Sequence, residues 1–251
     1  DTVLKAIVKA QDGTFSDIST FNYFITDALQ IHDIQGAGHT TPFDNQTVEG
    51  IQGVVTYSFT LSGNYYYTIQ TPDELVDNDP NTSEAIMLFS GNRAWPIQVG
   101  DLVSVTGKVS EYAYDGYDDR NQTDLKTTQI NVRNDQGGNV TVLQSGVPLP
   151  APIIIDKSKM NFAHIDSDSL TLFNPQVDAI DFWESIEAMR VQVGDVKTVA
   201  PQEHGDLITV LESAPTNPTE TPSGKFISKS IVLPFPSKLP RKGPNDPYPN
   251  P

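Results

Sequence analysis

Residues Ile31–Tyr57 read IHDIQGAGHTTPFDNQTVEGIQGVVTY. Ile31 and Ile34 flank a polar turn, and Gly36, Gly38, Pro42 and Asp44-Asn45 continue it as a loop-rich lead-in. An apolar run follows, Val48 to Val55, interrupted by Gly50 and Gly53. Glycines inside such a run mark bulges or bends, the places where a small closed sheet turns a corner. The stretch therefore predicts a loop feeding the first long strand of a small β-barrel.

Reading C-terminally from it, Val48–Leu61 is that strand, Ser62-Gly63-Asn64 a turn and Tyr65–Thr71 the returning strand. An acidic loop, Pro72–Glu84, precedes a buried-looking strand, Ala85–Phe89, and a turn at Ser90-Gly91-Asn92. Val99–Tyr112 alternates through Val103, Val105, Gly107 and Val109. A polar loop, Asp115–Asp124, leads to Thr127–Val132 and, past Gly137-Gly138, to Val140–Leu143. A long bent strand, a return, a short strand, a Val-Gly-Asp strand and a final strand form the pattern of an OB-fold-like, five-stranded barrel. The helix usual between its third and fourth strands is replaced by a short loop, Gly91–Gln98.

The whole chain is expected to be mainly β: an N-terminal β segment over 1–30, the barrel over 31–145, a Pro-rich linker over 146–152, and a smaller β-rich domain with one helix over 153–213. A linker, one strand (Phe226–Leu233) and a Pro-rich basic tail fill 214–251. The helix is Val177–Ile186, whose Val177, Ile180, Phe182-Trp183 and Ile186 recur at helical spacing.

With 16 Lys and Arg against 32 Asp and Glu, the net charge is −16, which repels nucleic acid and anionic membranes at long range. The basic residues Lys225, Lys229, Lys238, Arg241 and Lys242 concentrate near the C-terminus. There is no cysteine, so neither a disulfide framework nor thiol chemistry is available. No apolar run reaches membrane-spanning length. The chain starts at Asp1 without Met and ends Pro-rich, as expected of a piece of a longer, exported bacterial polypeptide at or outside the cell surface.

Four groups of residues invite a chemical reading. Asp77, Asp79 and Asn81 place oxygens at positions one, three and five of a loop, with Glu84 beyond, as in the front half of a calcium loop, a reading that makes the chain a calcium-dependent binding module for extracellular or cell-wall polymer. Thr82 stands where such a loop wants glycine, so a solvated acidic turn is the competing reading. Tyr65 and Tyr67 share one strand face and, with Tyr114 and Tyr117 of the second acidic loop, offer a platform on which bases or sugars stack, or ordinary aromatic packing. Asp181, Glu184 and Glu187 share one side of the helix, as surface acids or as a metal-holding set. His32, His39, His164 and His204 lie far apart with no metal or catalytic spacing, and His39 reads as part of a structural turn.

The lead-in, the Gly53-Val54-Val55 strand, the acidic loop ending TSEAIMLF, VGDLVSVTGKVSEY and IDFWESIEAMRVQV occur in that order. Together they resemble the non-catalytic N-terminal region of secreted bacterial nucleases of the endonuclease/exonuclease/phosphatase family. There the pattern is roughly I-x-x-I-Q-G-x-x-H-x-S-P, G-V-V, D-x-D-x-x-T-S-x-G-I, V-G-D-x-V-x-V-x-G-x-V-x-E and Y-E-S-L-E-G-M. The resemblance covers about Ile31 to Leu211, with Thr41, Ala85, Trp183 and Ala188 as departures. It implies an accessory role beside a downstream nuclease domain that holds a divalent metal, possible contact with nucleic acid, and no catalytic residue or required cofactor in this stretch.

Overall fold

The computed structural model describes residues 2–6, 9, 12–16, 19–23, 28–112, 125–156, 158–159, 162, 164–194, 196–198 and 209–211. In chain order these form β1 (Thr2–Ala6), β2 (Ser19–Tyr23), α1 (Ile31–Gln35), β3 (Thr47–Leu61), β4 (Asn64–Gln70), β5 (Ala85–Gly91), β6 (Leu102–Tyr112), β7 (Thr127–Asn131), β8 (Asn139–Gln144), β9 (Ile153–Ile155), α2 (Ala179–Glu184), β10 (Val191–Val193), β11 (Val196–Thr198) and β12 (Thr209–Leu211). Tyr114, Tyr117, His204 and the strand expected at Phe226–Leu233 lie outside the described residues.

The chain is mainly β. β3, β4, β5, β7 and β6 pair in that order and β6 closes back onto β3, so five strands form a ring, with β8 added along β6. All ring pairings are antiparallel except β5 with β7. This is the Greek-key closure expected of an OB-fold-like unit. Closure depends on β3, which pairs with β6 through its first half and with β4 through its second. It bends at two register shifts, between Val48 and Ile51 and between Val55 and Tyr57. Gly50 sits in the first with φ of 73°, a left-handed conformation that strains any side chain.

Alternation fills the ring. Val48, Ile51 and Val55 of β3, Tyr67 and Ile69 of β4, Ile86 and Leu88 of β5, Val103, Val105 and Val109 of β6 and Ile130 of β7 form one buried core. The lead-in expected to be a loop is in part a helix. In α1, Ile31 and Ile34 are fully buried in that core, and Asp33 accepts the Gln30 backbone N–H at 2.8 Å to cap it. A Cβ at Gly53 would meet Ile69 Cβ at 3.0 Å and Ile31 Cδ1 at 3.1 Å, so the missing side chain lets α1 seat against the sheet.

Beyond the ring, β9 and β10 pair in parallel, and α2 packs against them. Ile155 and Phe182 centre a small second core with Ile153, Phe162, Trp183, Ile186, Val191 and Val193. After α2 come β10 and β11, the latter paired with β12. A hairpin of β1 and β2 precedes the ring. The 153–194 unit is tied to the ring by polar bonds: Arg190 N donates to Gln70 Oε1 at 2.9 Å and Ser83 Oγ to the Glu187 carbonyl at 2.6 Å.

Candidate functional site

The residues with unusual chemistry gather at one end of the ring, where α1, the loop after it and the α2 segment meet. The strict alternation of β6 continues past Val109 and turns Glu111 inward. Its Oε1 accepts the Thr41 N–H at 2.6 Å and the Thr128 hydroxyl at 3.2 Å, while Oε2 is buried with no hydrogen-bond partner. Thr41 Oγ1 in turn donates to the Ile34 carbonyl, and Gln35 Nε2 donates to the Ala85 carbonyl at 2.6 Å.

From the other side come the acids of the α2 segment. Asp181 is 1% exposed; one oxygen accepts the Asn174 N–H at 2.7 Å and the other pairs with His39 Nε2 at 2.7 Å. The His39 ring also meets Phe173 edge to face at 5.1 Å. Glu187 accepts the Thr128 N–H at 3.0 Å. Three glutamates thus share a desolvated space. Burial, reinforced by the charges of Glu111 and Asp181, pushes Glu184 up to about 8. Burial and the neighbouring Glu184 and Glu111 hold Glu187 well above the usual carboxylate range, against the Thr128 and Gln35 hydrogen bonds. Burial also raises Glu111, opposed by the bonds from Thr41 and Thr128. A Glu184 carboxyl that keeps its proton at neutral pH acts as a hydrogen-bonding group and limits the charge the cluster buries.

The acids read as helix-surface groups or as a metal-holding set therefore face the joint, and His39 has a partner 142 positions away. Replacing His39 by alanine removes one of the two partners of a buried carboxylate and is expected to lower stability by about 2 kcal/mol. Urea denaturation measures this, and a change below about 0.5 kcal/mol would show the pair to be idle.

The acidic loop contributes a second grouping. Asp77 and Glu84 converge with His32, their ligand atoms within 4.8 Å of one another. His32 Nδ1 lies 3.2 Å from Glu84 Oε1 and 4.0 Å from Asp77 Oδ2. Asp79 and Asn81 do not join them. Asp77 Oδ1 accepts the Asp79 N–H at 2.7 Å, and Asp79 Oδ1 the Asn81 N–H at 2.9 Å, so the alternating oxygens close consecutive turns of their own loop. Calcium takes an all-oxygen shell, whereas one imidazole with two carboxylates suits a borderline transition ion.

Tyr67 belongs to the inner face, 4% exposed, its hydroxyl accepting the Trp95 N–H at 3.0 Å, and Tyr65 packs against the same core. The stacked aromatics lie on the opposite face. Phe59 and Tyr66 are 5.0 Å apart at 7°, Tyr66 meets Phe89 at 5.3 Å, and the Arg133 guanidinium lies 5.4 Å from the Phe89 ring centre. The alternation was readable from the sequence; which side faced inward depended on closure of the ring.

Among the described residues no helix is long and apolar enough to cross a membrane. A family model described as a domain of unknown function (DUF8508) matches residues 142–238. The match runs from within β8 through β9, α2 and β10 to β12 and beyond, and covers less than half of the chain. No curated protein matches the chain.

Proposed function

We propose that the chain is a non-catalytic accessory region of an exported, metal-dependent nuclease of the endonuclease/exonuclease/phosphatase type, presenting substrate or positioning a downstream catalytic domain. One observation carries this reading. The motifs behind the family resemblance, far apart in sequence, meet at a single intramolecular joint: Gln35 with Ala85, Thr41 with Glu111, His39 with Asp181, and Ser83 with Glu187. Two of these bonds, His39 with Asp181 and Ser83 with Glu187, tie the α2 segment to the ring, and the other two fasten α1 and the loop after it to β5 and β6, an arrangement that supports a positioning role. His39, Asp181 and Glu187 are engaged with one another or with backbone amides.

Fluorescence anisotropy with single- and double-stranded DNA, with and without calcium, tests the role. The expected result is weak, salt-sensitive binding or none, because the charge is −16, and no phosphodiester cleavage. Cleavage by this chain alone would overturn the accessory reading.

A second reading, a cation-dependent binding module for extracellular or cell-wall polymer, is favoured by the convergence of His32, Asp77 and Glu84. It requires a divalent ion to raise the melting temperature of the wild type and not of His32→Ala, and the imidazole favours zinc or manganese over calcium in that comparison.

A further inference from the structure

At the β3–β4 turn and the β5–β6 and β7–β8 connections, a cavity of about 840 Å³ opens on the ring. Asn64, Asn92, Arg93, Trp95, Arg133 and Asn134 line it, with Asp135 the one acid in the lining. Two guanidiniums in one cavity stand out in a chain of net charge −16. No Arg or Lys is ion-paired with a carboxylate among the described residues; every pair within 4.0 Å there involves a histidine.

Arg133 is held in place before any ligand arrives. Its stem crosses Gly91, where φ is 65° and a Cβ would meet Arg133 Cδ at 2.7 Å. Its head lies over Phe89, and Nε donates to Asn131 Oδ1 at 3.1 Å, an oxygen that also accepts the Arg133 N–H at 3.2 Å. These contacts engage the face and inner edge of the guanidinium; its terminal nitrogens have no hydrogen bond among the described residues. The loop carrying Arg93 is pinned by Ser90 Oγ, which donates to the Arg93 carbonyl at 2.5 Å, and Trp95 is tied to the core through its N–H to Tyr67. Arg93 itself is exposed.

We infer that this cavity is a binding site for a phosphate group carried on a nucleotide-sized molecule. Guanidinium forks match phosphate oxygens with paired, charge-assisted hydrogen bonds. The three carboxamides add donors without charge, and the indole offers a surface for an attached ring. The volume exceeds what a bare ion fills and suits a small organic phosphate. The inference is independent of the accessory-region reading, because a mononucleotide can bind whether or not the chain touches DNA.

Isothermal titration of the full chain with thymidine 5′-monophosphate, inorganic phosphate and thymidine tests it. The monophosphate is expected to bind saturably, inorganic phosphate about tenfold more weakly, and thymidine not at all. Arg93→Gln, an exposed change that leaves the fold alone, and Arg133→Lys, which keeps charge but loses the fork, are each expected to weaken the monophosphate about tenfold. Asp135→Asn is expected to tighten it and added salt to weaken it. Absence of monophosphate binding by the folded wild type, binding equal to that of thymidine, or affinity unchanged in Arg93→Gln overturns the inference. Monophosphate binding without DNA binding would support it and count against substrate presentation.

Discussion

Gly107→Ala is expected to destabilise the chain by about 3 kcal/mol or more, enough to threaten folding of a marginal β domain. Gly107 lies in β6 opposite Val48 of β3 on one side and, on the other, between the β8 pairing that ends at Thr106 and the β7 pairing that begins at Lys108. A Cβ there would sit 2.4 Å from the Asn131 carbonyl oxygen, 2.7 Å from Ile130 Cγ2 and 3.0 Å from the Asn131 carbonyl carbon. Two of these three atoms are backbone, so no rotamer change relieves the clash; β7 must move away from β6 and the ring must open. Gly38→Ala is the control, because a Cβ at Gly38 meets nothing within 4 Å. It is expected to stay within about 0.5 kcal/mol of wild type. Thermal and urea unfolding of the two variants measure the difference. Equal stabilities would mean that the ring tolerates a separation the structure does not provide.

The second large effect is a stability that falls as pH rises. In the unfolded chain Glu111, Glu184 and Glu187 titrate near the ordinary glutamate value of about 4.3. In the folded chain all three are raised, Glu184 to about 8 and Glu187 well above the usual carboxylate range, with burial the first cause in each. Between the unfolded and folded values the native state binds more protons than the unfolded one. Unfolding then releases protons, and stability falls with pH. The contribution is fully present below the unfolded value and is lost as pH climbs through about 8. A tenfold difference in proton affinity corresponds to about 1.4 kcal/mol, so the loss between about pH 5 and 8 is on the order of 3 kcal/mol. Glu184→Gln supplies a permanently neutral side chain of the same shape. Its stability is expected to be flatter over this range and to exceed that of wild type increasingly above about pH 5, the gap levelling off near pH 8. Urea midpoints over this range, with both chains at matched salt, decide it. Parallel curves for wild type and Glu184→Gln would show that Glu184 ionises freely in the folded state. Because the three groups interact, the transition belongs to the cluster and has no single owner.

The same joint shows where reading the residues in order succeeds and where it stops. The strands were legible because each announces itself locally. Val103, Val105, Gly107 and Val109 alternate with period two, Ser62-Gly63-Asn64 can only turn, and Gly50 marks the bend that its φ of 73° produces. The α2 helix was legible from the spacing of Val177, Ile180 and Phe182, although its regular part is shorter, Ala179–Glu184. The helix α1 was not legible: five residues are too few for periodicity to register, and its stability comes from burying Ile31 and Ile34 in a ring built by later strands.

The chemistry divides in the same way. Glu111 could have been placed inside by extending the β6 alternation two residues past Val109, a signal that was present and local. Nothing local distinguishes Asp181, Glu184 and Glu187 from the acids of a solvated helix face, and nothing near His39 points to Asp181. Likewise Tyr65 and Tyr67 were correctly paired on one face, but whether that face held the core or a ligand was undecided until β3 closed onto β6.

Composition, alternation and turn residues were sufficient for a mainly β chain with a bent first strand, because these depend on each residue's own backbone preferences and on its immediate neighbours. The burial of the carboxylates, the His39–Asp181 pair and the cavity holding Arg93 and Arg133 were not, because each brings together side chains from separate elements. Their partners, and so their protonation and their exposure to a ligand, exist only once the ring has closed.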